Sequence, residues 1–427
     1  MKIKDIKSFE VLDSRGNPTV GASVILADGQ VGTALVPSGA STGQHEALEL
    51  RDNDQDRYQG RGVLRALENI EEKIKPALSG QSVFDQEKID RLMIDLDGTE
   101  DKSRLGANAI LAVSLAACRA AALASGQPLY AYLSRFNPDF KGRYRLPVPM
   151  LNVLNGGRHA DWATDIQEYM ILPVGMKDFA TALRVGAEIY YRLKEILKES
   201  GYGLGVGDEG GFAPAVKNNE ESFGLLLKAT QAAGYRPGRE VLFAIDAAAS
   251  EFYEDGVYNL HKENKRLSGR ELADFYTALA GKYPICSWED VFAEDDWENF
   301  REFSAAHPGV QVVGDDLYAT NLKRLERGIK EKSSNSILIK LNQIGTLSET
   351  IAVIRLAKEN NFTTVLSHRS GETEDDFIAD LAVGLDTGQI KAGAPARGER
   401  TAKYNRLIKI ATELGDRADY AAFPFLC

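Results

Sequence analysis

Ionisable residues close a series of short apolar runs in the second half of the chain. Val241-Leu242-Phe243-Ala244-Ile245 precedes Asp246, Ile285-Cys286-Ser287-Trp288 precedes Glu289, and Val310-Gln311-Val312-Val313-Gly314 precedes Asp315. Ile337-Leu338-Ile339 precedes Lys340, Thr364-Val365-Leu366-Ser367 precedes His368-Arg369-Ser370, and Lys391 follows. A single strand can end on a charge simply because it meets solvent. Five in succession, acids first and cations later, point to a site. Asp246, Glu289 and Asp315 would converge there as hard oxygen ligands, which favour Mg²⁺ over zinc. Without a metal, three buried carboxylates would repel one another and raise each other's pKa. Arg369 beside Ser370 suits an anion, because the guanidinium fork matches phosphate. Lys340, close to Mg²⁺ and a second lysine, is expected to have a lowered pKa and to act as a base. Judged alone, Lys340 could equally form a barrel salt bridge.

Two further acids come earlier. Glu168 lies inside the run Ile166–Leu172, and Glu209 lies in Gly207-Asp208-Glu209-Gly210-Gly211. A carboxyl group among other carboxylates can keep its proton and serve as an acid. A metal, a base, an acid and an anion clamp together suggest proton removal next to a carboxylate, then loss of a group from the neighbouring carbon. Other motifs fail. Gly205–Gly210 fits GxGxxG, but Asp208 and Glu209 stand where a pyrophosphate needs bare amides. Asp52–Asp56 begins like a calcium loop, but Arg57 replaces the required glycine and Val63 the bidentate glutamate. The five histidines show no metal-ligand spacing.

The elements that must position these residues follow from the same spacing. A strand and a helix in roughly 25 residues is the period of a (β/α) barrel, whose active site sits at the carboxyl ends of its strands. Ile166–Leu172 and Leu204–Glu209 read as further strands of that series. Residues 1–135 differ. Asp28-Gly29 between two apolar runs predicts a hairpin, and helical periodicity dominates from Gly62 to Ala124. The fold expected is α/β: a (β/α)8-type barrel over 136–427, preceded by a smaller α+β domain over 1–135, with a boundary near Pro147 and Pro149.

Composition bounds the function. The chain has 427 residues, 44% hydrophobic and 26% charged, with 51 Lys+Arg against 62 Asp+Glu and a net charge of −11. That balance argues against nucleic acid and an anionic membrane as partners. At face value it also disfavours a phosphorylated substrate. The apolar stretch Ala107–Leu123 is too short and too polar to span a bilayer and reads as a buried helix. Cys118, Cys286 and Cys427 form no CxxC pair and no disulfide framework, so a reducing, cytoplasmic setting is expected.

With these residues in view, the chain resembles the enolase family over nearly its whole length. The resemblance rests on Leu12-Asp13-Ser14-Arg15-Gly16-Asn17-Pro18-Thr19, Val36-Pro37-Ser38-Gly39-Ala40-Ser41-Thr42-Gly43, Gly207-Asp208-Glu209-Gly210-Gly211, Leu338–Thr346 and Ser367–Asp375. Enolase-superfamily sites are a reference case for a lysine or histidine base with one or two Mg²⁺ ions. The resemblance implies reversible dehydration of 2-phosphoglycerate, a small phosphorylated carboxylate, with two Mg²⁺ ions. Asp246, Glu289 and Asp315 would hold the first ion, and Ser41, in a mobile loop, would help to hold the second. Lys340 would take the substrate proton. Glu209 would protonate the departing hydroxyl, with Glu168 assisting. Lys391 would neutralise the carboxylate, Arg369 and Ser370 would grip the phosphate, and His159 would close over the site in a lid loop. Gln167 and His368 are also implied as substrate-binding residues, and a homodimer or octamer as the assembly. Trp162-Ala163, Ala392 and Gly398 depart from the family pattern without removing a proposed catalytic group. Two other readings stand beside this one: a relative acting on an acid sugar, and a binding protein on an inherited barrel.

Overall fold

The computed structural model describes residues 1–39 and 43–425. The chain opens with an antiparallel sheet of β1 (Ile3–Leu12), β2 (Pro18–Leu26) and β3 (Val31–Leu35) in that order. The β2–β3 hairpin turns at Asp28-Gly29, with Gly29 at φ 90°. Helix Ala107–Ala124 packs against β2 and β3. Its alanine-rich sequence favours a helix, and its apolar surface on all sides requires burial. By length and composition it could cross a membrane, which corrects the reading of it as too short and too polar, yet 83% of it is buried inside the fold, as expected of a core helix. The close approach depends on Gly32. A Cβ there would lie 2.3 Å from Ala116 O and from Ala120 N.

The second part closes into an eight-stranded barrel. Its strands are β4 (Val148–Asn155), β5 (Glu168–Pro173), β6 (Val241–Asp246), β7 (Ile285–Glu289), β8 (Gln311–Gly314), β9 (Ser336–Ile339), β10 (Thr363–Ser367) and β11 (Gly388–Lys391). The closed order is β7-β8-β9-β10-β11-β4-β5-β6. These strands are buried on both faces and so read as nearly continuous apolar runs. Val148, Met150, Met170, Leu242, Val313, Leu338 and Val365 fill the interior, and Ala421 and Phe423 of the C-terminal tail join that cluster.

Two details differ from the regular repeat. β5 pairs antiparallel with both β4 and β6, whereas the other barrel pairs are parallel. The short β4–β5 connection allows this, because a parallel pair would need a long crossover. Leu204–Glu209 is not a barrel strand. It pairs through isolated bridges, Val206↔Phe212 within the loop and Leu154↔Phe212 to β4, and is further held by Ala394 N, which donates to Glu209 O at 2.9 Å. Cys118 is free and buried, but Cys286 is disulfide-bonded, which corrects the expectation of unpaired thiols.

The first domain is fastened to the barrel beside the strand ends. Buried Asp90 accepts from Ser348 N at 2.9 Å and Ser348 Oγ at 2.6 Å. Arg119 grips Asp375 through two nitrogens and also reaches Asp376. Ser38 and Gly371 exchange backbone hydrogen bonds of 2.7 and 2.9 Å.

Candidate active site

The carboxyl ends of the parallel strands surround a cavity lined by acids and cations. Asp246 and Glu289 are the last residues of β6 and β7 and sit side by side in register. Asp315 follows β8, Lys340 follows β9, His368-Arg369-Ser370 follow β10, and Lys391 ends β11. Because β5 runs the other way, its first residue, Glu168, faces the same end and pairs in register with Asp246. Gln167 precedes it, and its N–H donates to Asp246 O at 3.1 Å. Glu209 reaches the cavity from the Gly207–Gly211 loop, and its Oε2 accepts from Asn152 Nδ2 at 2.8 Å.

The cations are set among the acids. Lys391 Nζ lies 3.2 Å from Glu168 Oε1, 3.1 Å from Asp246 Oδ2 and 2.7 Å from Glu289 Oε1. Burial pushes its pKa down, but the three carboxylates and Glu209 outweigh burial and hold it well above the ordinary lysine value. Lys340 Nζ pairs with Asp315 Oδ2. The lowered pKa expected for Lys340 is not what the protein's own charges produce. Burial, Arg369 and Lys391 push it down, but Asp315 and Asp316 push harder and the net shift is upward. Arg369 makes a two-pronged bridge to Glu46, at 2.8 and 3.2 Å, and reaches Asn342 Oδ1 at 3.0 Å.

The acids fall into two kinds. Burial drives Glu289 well above the ordinary carboxylate range, and Asp246 adds to this against Lys391. Burial and then Glu209 do the same to Glu168. Asp315 moves the opposite way. Burial would raise it, but Lys340, Lys391 and Arg369 prevail. Burial and the adjacent Asp315 push Asp316 up to about 8.

Glu289 Oε2 and Glu168 Oε2 are buried without a hydrogen-bond partner among the described residues. Such orphaned oxygens, next to Asp246 and Asp315, suit a hard divalent cation. The tightest carboxylate trio is nevertheless Asp290, Asp315 and Asp316, with ligand atoms within 4.8 Å of one another. Asp290 has a structural task in it. Its two oxygens accept the N–H groups of Asp315 and Asp316 at 2.9 and 2.8 Å. It therefore shapes the turn that presents Asp315.

Ser41 lies outside the described residues. His159 belongs to the 3-10 turn Gly157–Ala160, and its side chain is likewise outside the description. Beside that turn, Trp162 stands edge-on to His261 with ring centroids 6.2 Å apart. Sequence reading missed Asn152, Asp290, Asp316, Glu46, Gln343 and Arg400. Three of them had a signal, since Asp290 and Asp316 repeat the acids after Glu289 and Asp315, and Gln343, whose Nε2 donates to Asp315 Oδ1 at 2.9 Å, lies within the Leu338–Thr346 motif. Asn152, Glu46 and Arg400 act through space from distant segments.

Residues 3–133 match the family model of the enolase N-terminal domain, and residues 143–426 match that of the enolase C-terminal TIM barrel domain. The two matches cover most of the chain on either side of the junction between sheet domain and barrel. A lyase-type site at the strand ends and both halves of one family's architecture agree: the chain belongs to the enolase family.

Proposed function

We propose that this enolase-family lyase reversibly dehydrates 2-phosphoglycerate to phosphoenolpyruvate, the cytoplasmic glycolytic step, in a Mg²⁺-dependent reaction. One observation carries the reading. Lys340 after β9 and Glu168 at the start of β5 are separated by four steps around a ring of eight strands, so a base and an acid face each other across the cavity. An elimination that removes a proton from one face and a hydroxyl from the other needs that opposition.

Lys340 takes the proton next to the substrate carboxylate. Glu209, oriented by Asn152, donates a proton to the leaving hydroxyl, and Glu168 assists through the leaving group or water. Lys391 offers positive charge to the carboxylate. Arg369 and Ser370 hold the phosphate, with Gln167 and His368 as further contacts and His159 as the closing residue. Asp246, Glu289 and Asp315 would hold Mg²⁺, and Ser41 a second ion. The metal supplies positive charge where the carboxylate's negative charge doubles as the proton leaves. The anion clamp favours this substrate over an acid sugar, which offers no phosphate for Arg369. A dimer, or a ring of dimers, is the assembly we propose, read by sedimentation.

The test is ultraviolet detection of the conjugated enol product from 2-phosphoglycerate, with and without Mg²⁺. Metal-dependent product formation is expected. No product, or product that does not depend on Mg²⁺, would overturn the proposal.

A further inference from the structure

We propose that Arg400 is a positioning residue for this reaction: it fixes the Nε2–H tautomer of His368, and with it the hydrogen-bond donor aimed at Glu209. The inference rests on the reading of Glu209 as the acid. Arg400 lies in the first turn of helix Gly398–Leu414, and its side chain is fully buried. Its Nη1 donates to His368 Nδ1 and to Arg369 O, both at 2.6 Å. Its Nη2 donates to Ser370 O at 2.6 Å and Asp208 O at 3.0 Å.

A guanidinium has donors only, so Nδ1 of His368 must accept. A neutral imidazole then carries its proton on Nε2. That nitrogen is buried, has no hydrogen-bond partner among the described residues, and lies 3.6 Å from Glu209 Oε2. One side chain thus ties together the carbonyl beside the acid, the anion-clamp backbone and the imidazole between them. Gly393 leaves room for this. A Cβ there would lie 2.9 Å from Arg400 Cδ and 3.1 Å from His368 Cε1. The charged groups facing the imidazole are Glu209, Arg400 and Lys391, whose carbonyl accepts from His368 N at 2.9 Å. Burial, assisted by Arg400 and Lys391 and opposed by Glu209, moves the imidazole down to about 3. His368 therefore stays a neutral donor at physiological pH.

Nitrogen-15 NMR of the histidine rings, with His368 assigned through His368→Gln, reads this directly. In the wild-type protein with Mg²⁺, Nδ1 should show the unprotonated signature and hold it from about pH 5 to 8. In Arg400→Gln, His368 should titrate above its wild-type value, because one of the charges that depresses it is gone while burial and Glu209 remain. In that variant kcat should fall about tenfold or more and gain an acid limb, with KM changed less than about threefold and α-proton exchange retained. A wild-type His368 that carries its proton on Nδ1, or titrates in that range, overturns the proposal, and this holds even if Arg400→Gln fails to fold. An unchanged tautomer and pH profile in a folded Arg400→Gln also overturns it. A wild-type protein with the Nε2–H tautomer but no turnover of 2-phosphoglycerate would remove the function reading and leave the tautomer assignment standing.

Discussion

At the scale of single residues, the proposed roles divide the labour between Lys340 as base and Glu209 as acid. Lys340→Ala should abolish exchange of the substrate α-proton with solvent, because Lys391, the other lysine lining the cavity among the described residues, is engaged by Glu168, Asp246 and Glu289. Glu209→Gln should keep exchange and lose dehydration, by about 10²-fold or more, because only the hydroxyl lacks its proton donor. Exchange followed by NMR in deuterated water checks both, and equal exchange in Lys340→Ala and wild type would reassign the base. His368 makes a stability prediction. Its folded pKa of about 3 lies below the unfolded value of about 6.5, so the unfolded chain takes the proton first. The stabilisation is present above the unfolded value and is lost as pH falls from about 6.5 toward 3, a matter of a few kcal/mol. Urea unfolding of His368→Gln should lose less stability than wild type between about pH 6.5 and 4.5. Strand-end residues such as Asp246, Glu289 and Lys340 were legible because each terminates an apolar run. Asn152 and Arg400 were not, since they reach their partners from distant segments and no periodicity marks a through-space hydrogen bond.

At the scale of elements, the barrel repeat was readable from β6 to β11 because each strand is a short apolar run followed by a helical pattern. Helix Leu347–Glu359 begins and ends where its periodicity does, with Thr346 accepting from Glu349 N as its cap. The reading slipped where glycine and apolar residues mix without a partner strand, at Leu204–Glu209. Its isolated bridges make it a loop, and that loop brings Glu209 to the barrel mouth, where Asn152 and Ala394 N hold it. The reversal of β5 left one trace: Glu168 lay inside its run, because in an antiparallel strand the site residue comes first. The contact between the first sheet and helix Ala107–Ala124 gives an element-scale prediction. Gly32→Ala drives a methyl group to 2.3 Å from Ala116 O and Ala120 N, backbone atoms that cannot rotate away. Separation of sheet and helix should cost about 1–3 kcal/mol in urea unfolding. Stability equal to wild type would mean that the helix is not held at this distance.

At the scale of the whole molecule, the net charge of −11 is the wrong quantity for judging a phosphorylated substrate. Glu168, Asp246, Glu289, Asp315 and Asp316 contribute to that sum from inside the cavity, where Lys340, Lys391 and Arg369 are largely engaged with acids. Without further positive charge, the pocket's cations are spent on its own carboxylates and the field there does not favour a dianion. A divalent cation on the carboxylates reverses that local balance while the surface stays acidic. Because the carboxylates converge only in the folded barrel, the proposed Mg²⁺ would bind the folded chain and not the unfolded one. Saturation at about a hundred times the dissociation constant should add about 2.7 kcal/mol of stability. A thermal melt should therefore shift upward with MgCl₂ but not with NaCl at equal ionic strength, and 2-phosphoglycerate should add a further shift only when Mg²⁺ is present. If the substrate alone raised the melting point after treatment with a chelator, the protein's own cations would suffice, and the coupling of metal to anion at this barrel mouth would be refuted.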